Sequence, residues 1–101
     1  MLNFVIDGQH LYLYGEPKVV VDGSANFVFM RFTFSREWDE YTKSVRLKKG
    51  DEVHTIPLGV DGGAYLPADI TAGVWAVSVL GELNASRASS SVIALRVEQS
   101  L

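Results

Sequence analysis

Short runs in which apolar residues fall on every second position, each closed by glycine or a turn-forming pair, organise the chain from end to end. A two-residue period puts alternate side chains on opposite faces of a strand. The runs predict strands over Leu2–Ile6, His10–Tyr14, Lys18–Asp22, Phe27–Phe34, Lys43–Lys48, Glu52–Leu58, Ala64–Leu66, Val74–Leu80 and Val92–Glu98. That is more than one sheet comfortably holds, so the chain is expected to be a single all-β domain over residues 1–101: an Ig-like antiparallel β-sandwich of about seven to nine short strands. Between the runs, Asp7-Gly8, Asp22-Gly23, Lys49-Gly50-Asp51 and Asp61-Gly62-Gly63 carry the residues that reach positive φ in tight hairpin turns, and each predicts a reversal.

The alternation also assigns faces. Trp75, Val77 and Val79 share one side of their strand against Ala76 and Ser78, and Ile93, Leu95 and Val97 alternate with Ala94, Arg96 and Glu98. Each of these strands has one dry face and one wet face, and the Trp75 indole is expected to anchor the core. In the Phe27–Phe34 run, Val28, Met30, Phe32 and Phe34 form the core side. Phe27 and Phe29 fall opposite, beside Arg31 and Thr33, and make that outer face unusually apolar.

Three segments break the period. Residues 35–42 predict one irregular helical turn capped by Ser35 and presenting Trp38 and Tyr41 on neighbouring positions. Pro67 to Ile70 reads as a turn opened by the proline and closed by Gly73. Asn84–Ser91 is small and polar and reads as a mobile loop before the last strand.

Composition narrows the partners. Valine, isoleucine, threonine and the aromatics together supply 32 of 101 residues, which favours strands over helices. A net charge of −3 gives no general attraction to a phosphate backbone, so no nucleic-acid partner is expected. No run approaches the roughly 20 apolar residues of a membrane span, and the N-terminal run meets Asp7 before reaching signal-peptide length. The absence of cysteine removes thiolate chemistry and disulfides.

Catalytic chemistry finds little support in the pattern. His10 and His54 have no second ligand at a zinc spacing and read as surface or strand-edge residues, so neither a metal nor a cofactor is expected. No Gly-x-Ser-x-Gly elbow occurs, and Glu37, Asp39 and Glu40 around Trp38 read as a solvated turn rather than a glycosidase pair. The basic stretch Arg36, Lys43, Arg46, Lys48 and Lys49 reads as a strand face whose lysines discourage edge-to-edge pairing. The sequon at Asn84-Ala85-Ser86 reads as chance. An aromatic surplus remains: Tyr12, Tyr14, Phe27, Phe29, Trp38, Tyr41 and Tyr65 exceed what one small core holds, and the excess points to an interface with another molecule.

Five segments carry a family likeness: Phe32-Thr33-Phe34-Ser35 with Trp38-Asp39, Val45-Arg46-Leu47, Asp61-Gly62-Gly63, Leu66-Pro67 with Asp69-Ile70, and Gly73, Trp75, Val77-Ser78-Val79 and Gly81. In this order they resemble the small β-sandwich domain at the N-terminus of baseplate upper proteins and of tail or head fibre proteins in phages and prophages of Gram-positive hosts. The similarity runs over nearly the whole chain. It implies a virion location and a non-enzymatic role, as a baseplate, fibre-attachment or decoration protein that binds other virion proteins and further copies of itself.

Phe27, Phe29, Trp38 and Tyr41 are the expected protein contacts, with Arg36 and Arg46 at the rim. Trp75 is the expected opposite case, a residue whose loss costs stability. The second reading is a carbohydrate-binding module that holds a cell-surface glycan on exposed rings beside acids. A third is a small inhibitor of a host enzyme, consistent with size and charge alone.

Overall fold

A computed structural model describes residues 2–14, 20–21, 28–67 and 69–98, with the backbone alone at Val20 and Val21. Phe27 and the predicted Asp22-Gly23 reversal lie outside the described residues. The strands are β1 (Leu2–Asp7), β2 (His10–Tyr14), β3 (Val20–Val21), β4 (Phe29–Phe34), β5 (Thr42–Lys49), β6 (Glu52–Pro57), β7 (Gly63–Tyr65), β8 (Gly73–Leu83), β9 (Ser86–Ser89) and β10 (Ile93–Glu98). A 3₁₀ turn at Arg36–Trp38 follows β4.

The strands form two sheets of a sandwich. The first runs in the order β2-β1-β4-β7, and the second in the order β3-β10-β8-β5-β6, with β9 alongside β8. The all-β sandwich is the predicted architecture. Two pairings are parallel, β1 with β4 and β3 with β10, and the rest are antiparallel. Parallel neighbours need a crossover. The chain makes the first one by leaving β1 through β2 and passing β3 in the opposite sheet before it returns as β4.

The predicted face assignment holds. Leu2, Phe4, Ile6, Leu11, Met30 and Phe32 line the inner side of the first sheet. They meet Val45, Leu47, Trp75, Val77, Val79, Leu95 and Val97 of the second. Phe4 and Phe32, paired across the parallel strands, stack with centroids 4.6 Å apart and planes 12° apart. Among the described residues no polar or charged residue is buried.

Trp75 sits at one end of this core. Its Nε1–H donates to the Thr71 carbonyl (2.8 Å). Lys49, inward by strand parity, lays its stem along the sheet end, holds Nζ 5.1 Å over the indole and donates to the Ala72 carbonyl (2.7 Å) and the Thr71 hydroxyl. The predicted Pro67 turn forms at the same end, where Ile70 N–H donates to the Pro67 carbonyl (3.3 Å).

The polar segment Asn84–Ser91 is a correction. It was expected as a mobile loop and is instead a hairpin, turning at Asn84 (φ 54°) and pairing β9 with the outer half of β8. Serine hydroxyls complete the ladder where β9 gives way to β10. Ser90 N–H donates to the Val79 carbonyl (2.9 Å), and Ser90 Oγ accepts Val79 N–H (2.8 Å). Ser91 reaches across to the other sheet, donating its N–H to the Gln9 carbonyl (2.7 Å) and accepting Leu11 N–H on Oγ (3.0 Å).

The lysine-bearing stretch also differs from expectation. It lies on β5, which runs between β8 and β6 and is not an edge. Lys43 and Lys49 point inward by parity, and their charged ends rest over the rings of Phe34 and Trp75, both 5.1 Å from the centroid. Periodicity carries no strand order, so it could not tell a central strand from an edge strand.

Candidate docking face

The outer side of the first sheet is built by the residues that alternate with the core. On β2, Leu11 is buried and Leu13 half-buried, which turns His10, Tyr12 and Tyr14 outward. On β4, burial of Met30 and Phe32 turns out Phe29, Arg31 and Thr33. Strand register then fixes the neighbours: Tyr14, Asn3, Arg31 and Gly63 run in one row across the sheet, and Tyr12, Val5 and Thr33 in the next. Phe29 pairs with Tyr65 on β7.

The face has an aromatic flank on each side of a polar middle. On the β2 side, Tyr12 is 51% and Tyr14 72% exposed, and the His10 and Tyr12 rings lie 6.0 Å apart with planes at 20°. On the other side, Tyr65 is 58% exposed and meets Phe29 edge to face at 5.0 Å. The tip of the Phe29 ring reaches over Gly63: a β-carbon there would fall 2.1 Å from Phe29 Cζ, so a side chain at 63 would push the ring aside. Arg31 joins the flanks to the middle, with its guanidinium 5.7 Å from the Phe29 centroid and Nη2 3.9 Å from Asp61 Oδ2.

Among the described residues, the predicted contacts Phe29, Arg36, Trp38, Tyr41 and Arg46 do not form one surface. Trp38 is a core residue, 2% exposed, and the expectation that it meets a partner is corrected. Its indole enters the end of the sandwich from the 3₁₀ turn, stands beside Phe34 (5.5 Å) and Tyr41 (5.9 Å), and donates Nε1–H to the Gly8 carbonyl (2.7 Å). Gly81 leaves the space it fills. Tyr41 is half-buried against the same indole, and Arg36 is exposed on the 3₁₀ turn. Arg46 lies on the outer face of the second sheet, on the far side of the sandwich from Phe29. Of the predicted contacts among the described residues, Phe29 alone belongs to the aromatic face. Tyr14 and Tyr65, counted only in the surplus, stand out further.

Beside Tyr41 a cleft of about 440 Å³ opens between the 39–43 segment and the 58–62 loop. Phe34, Tyr41, Lys43, Asp39 and Asp61 line it, and Val60 stands at its rim. Asp61 is held in place there, its Oδ1 accepting Gly63 N–H (3.2 Å). Glu37, on the turn nearby, accepts from the Ser35 hydroxyl. That hydrogen bond, helped by the backbone and by Arg36, holds its carboxyl below the ordinary glutamate range.

His54, expected at the surface or at a strand edge, lies on β6, the last strand of the second sheet among the described residues, and turns its ring inward, 5.5 Å from Trp75 with Nε2 3.3 Å from Glu52 Oε2. Among the described residues, no three of His, Asp and Glu come together as a metal site would require. No family model matches the chain, and no curated protein and no solved structure matches it.

Proposed function

We propose that the chain is a non-enzymatic docking module of a phage particle, a baseplate, fibre-attachment or decoration protein, and that it binds virion proteins through the outer face of its first sheet. One observation carries this reading: Tyr12, Tyr14 and Tyr65 stand largely in solvent on a sheet face that Phe29 also joins. Rigid aromatic side chains bury much area at small entropic cost and dominate protein interfaces. The polar middle, Asn3, Arg31 and Thr33, supplies the hydrogen bonds that fix orientation. The ordered segments resembling phage attachment domains support the same class, although Phe32, Trp38, Val45, Leu47, Leu66, Ile70 and Trp75 among them serve the core.

The test is the protein inventory of purified particles from the phage or prophage that encodes the chain. The expected result is the chain at a fixed ratio to a major structural protein. Particles that lack it would remove the virion role.

A glycan-binding module is the second reading, favoured by the cleft in which the rings of Phe34 and Tyr41 stand beside two carboxylates and the Lys43 ammonium. Stacking rings with nearby acceptors suit a sugar. Calorimetry with host cell-wall polysaccharide tests it: heat that Tyr41→Ala abolishes supports the cleft, and no heat with the native chain removes it.

A further inference from the structure

The cleft beside Tyr41 has walls that are fixed before anything enters it. On one side, Leu58 N–H donates to the Lys43 carbonyl (3.0 Å), and Gly62 N–H donates to the Gly59 carbonyl (2.9 Å) while the Gly62 carbonyl accepts Phe32 N–H (2.8 Å). A β-carbon on Gly62 would fall 2.4 Å from the Phe32 carbonyl oxygen, so the 58–62 loop lies directly on β4. On the other side, Tyr41 N–H donates to the Trp38 carbonyl (3.0 Å), and the buried Trp38 indole anchors the turn that carries Asp39. A pre-ordered pocket binds without the cost of ordering its walls.

The walls carry a cation site that the chain itself partly fills. Phe34 and Tyr41 are half-buried, and each leaves part of its ring to the cleft. Lys43, also half-buried and lining the cleft, holds Nζ 5.1 Å from the Phe34 centroid and forms no ion pair among the described residues. The lining sets two carboxylates, Asp39 and Asp61, against this one ammonium. Among the described residues Asp39 has no cationic partner, and Asp61 has only Arg31 at 3.9 Å.

We propose that the cleft binds a trimethylammonium group. Phe34 and Tyr41 lie against its methyl groups, Asp39 and Asp61 balance its charge, and the Lys43 ammonium is displaced into water. Three observations select this class. The Phe34 ring already carries an ammonium, so its face is open to a cation. The excess of carboxylate over ammonium disfavours an anion. The exchange with Lys43 favours a methylated cation over a primary one. A lysine ammonium is strongly hydrated and regains its water on leaving, whereas a quaternary nitrogen has no N–H to satisfy and brings methyl groups that Leu58 and Val60 can cover. This occupant goes beyond the glycan reading of the same cleft, since it needs a charge and no sugar ring.

Choline, ethanolamine and the neutral isostere of choline with carbon in place of nitrogen, titrated into the native chain at matched ionic strength, test the proposal by NMR. The expected result is a saturable shift with choline at Phe34, Tyr41 and the Leu58 and Val60 methyls. Ethanolamine and the neutral isostere should each bind at least about fivefold more weakly. Lys43→Ala, which frees the Phe34 ring, should tighten choline at least about threefold, and Asp39→Asn should weaken it by about the same factor. If Lys43→Ala does not fold, Lys43→Gln keeps the stem and takes its place. No saturable shift at these residues overturns the proposal, as does an isostere or ethanolamine that binds as tightly as choline, or a choline affinity that the folded Lys43 and Asp39 variants leave unchanged. Heat from cell-wall polysaccharide that Tyr41→Ala abolishes, with no choline binding, removes this inference and keeps the glycan reading; the reverse pair of results does the opposite.

Discussion

Trp38 and Gly81 share one volume: a β-carbon on Gly81 would lie 2.9 Å from Trp38 Cζ3 and 3.0 Å from Tyr41 Cδ2. Gly81 is the fourth place in the inward row Trp75, Val77, Val79 of β8, and the missing side chain is replaced by an indole arriving from the 3₁₀ turn. Removing the indole should therefore cost stability. Trp38→Ala is expected to lose about 3–5 kcal/mol, and Gly81→Ala about 1–3 kcal/mol by overpacking against two rigid rings. In the Trp38→Ala background, Gly81→Ala should cost far less, and urea unfolding of the four proteins reads the difference. Additive losses would show that the two residues do not compete for space.

Lys49 covers Trp75 as a strap, with its ammonium over the ring and bonded to the 71–72 backbone and hydroxyl. Lys49→Ala should admit water to the indole and lose about 1 kcal/mol. In a Trp38→Phe background, where Trp75 is the sole indole, its emission should shift to the red, and Lys49→Met should recover most of the native spectrum. Unchanged emission in Lys49→Ala would mean that the strap shields nothing.

Ser91 is the link between β10 and the hairpin of the other sheet. Ser91→Ala leaves the Leu11 N–H without its acceptor and should cost about 1 kcal/mol. Amide exchange at Leu11 should accelerate in this variant while exchange at Phe4 tracks only the global loss. Exchange at Leu11 that is no faster than in the native chain would assign its protection to another group.

At the 3₁₀ turn, the Ser35 hydroxyl depresses the Glu37 carboxyl. A carboxyl lowered in the folded state contributes stability above its unfolded pKa, and that contribution disappears as pH falls through the folded value. Titration by NMR should place Glu37 below the ordinary glutamate value, and Ser35→Ala should raise it. Overlapping curves for the two proteins would show that the hydroxyl does not hold the carboxylate.

How far the sequence anticipates this molecule depends on whether each feature is local. Alternation finds the main strands and the inward rows of β8 and β10. It misses β9 because Ser86–Ser89 carries no apolar pattern; pairing with β8 and the Asn84 turn make it a strand. It misplaces Trp38 because the period breaks over residues 35–42, and the available signal was distant, a glycine where the inward row of β8 asks for bulk. The pairing of Phe29 with Tyr65 depends on β4 lying beside β7, a neighbour relation that no local pattern encodes.

The exposed tyrosines of the first sheet can be separated from the fold because none of them belongs to the core. The most direct measurement is the content of particles assembled in cells that make either the native chain or Tyr12→Ser/Tyr65→Ser, read against a major structural protein, with the unfolding midpoint of each chain alongside. The expected result is a double variant that melts with the native chain and is lost from particles. A double variant incorporated at the native ratio would contradict docking through this face.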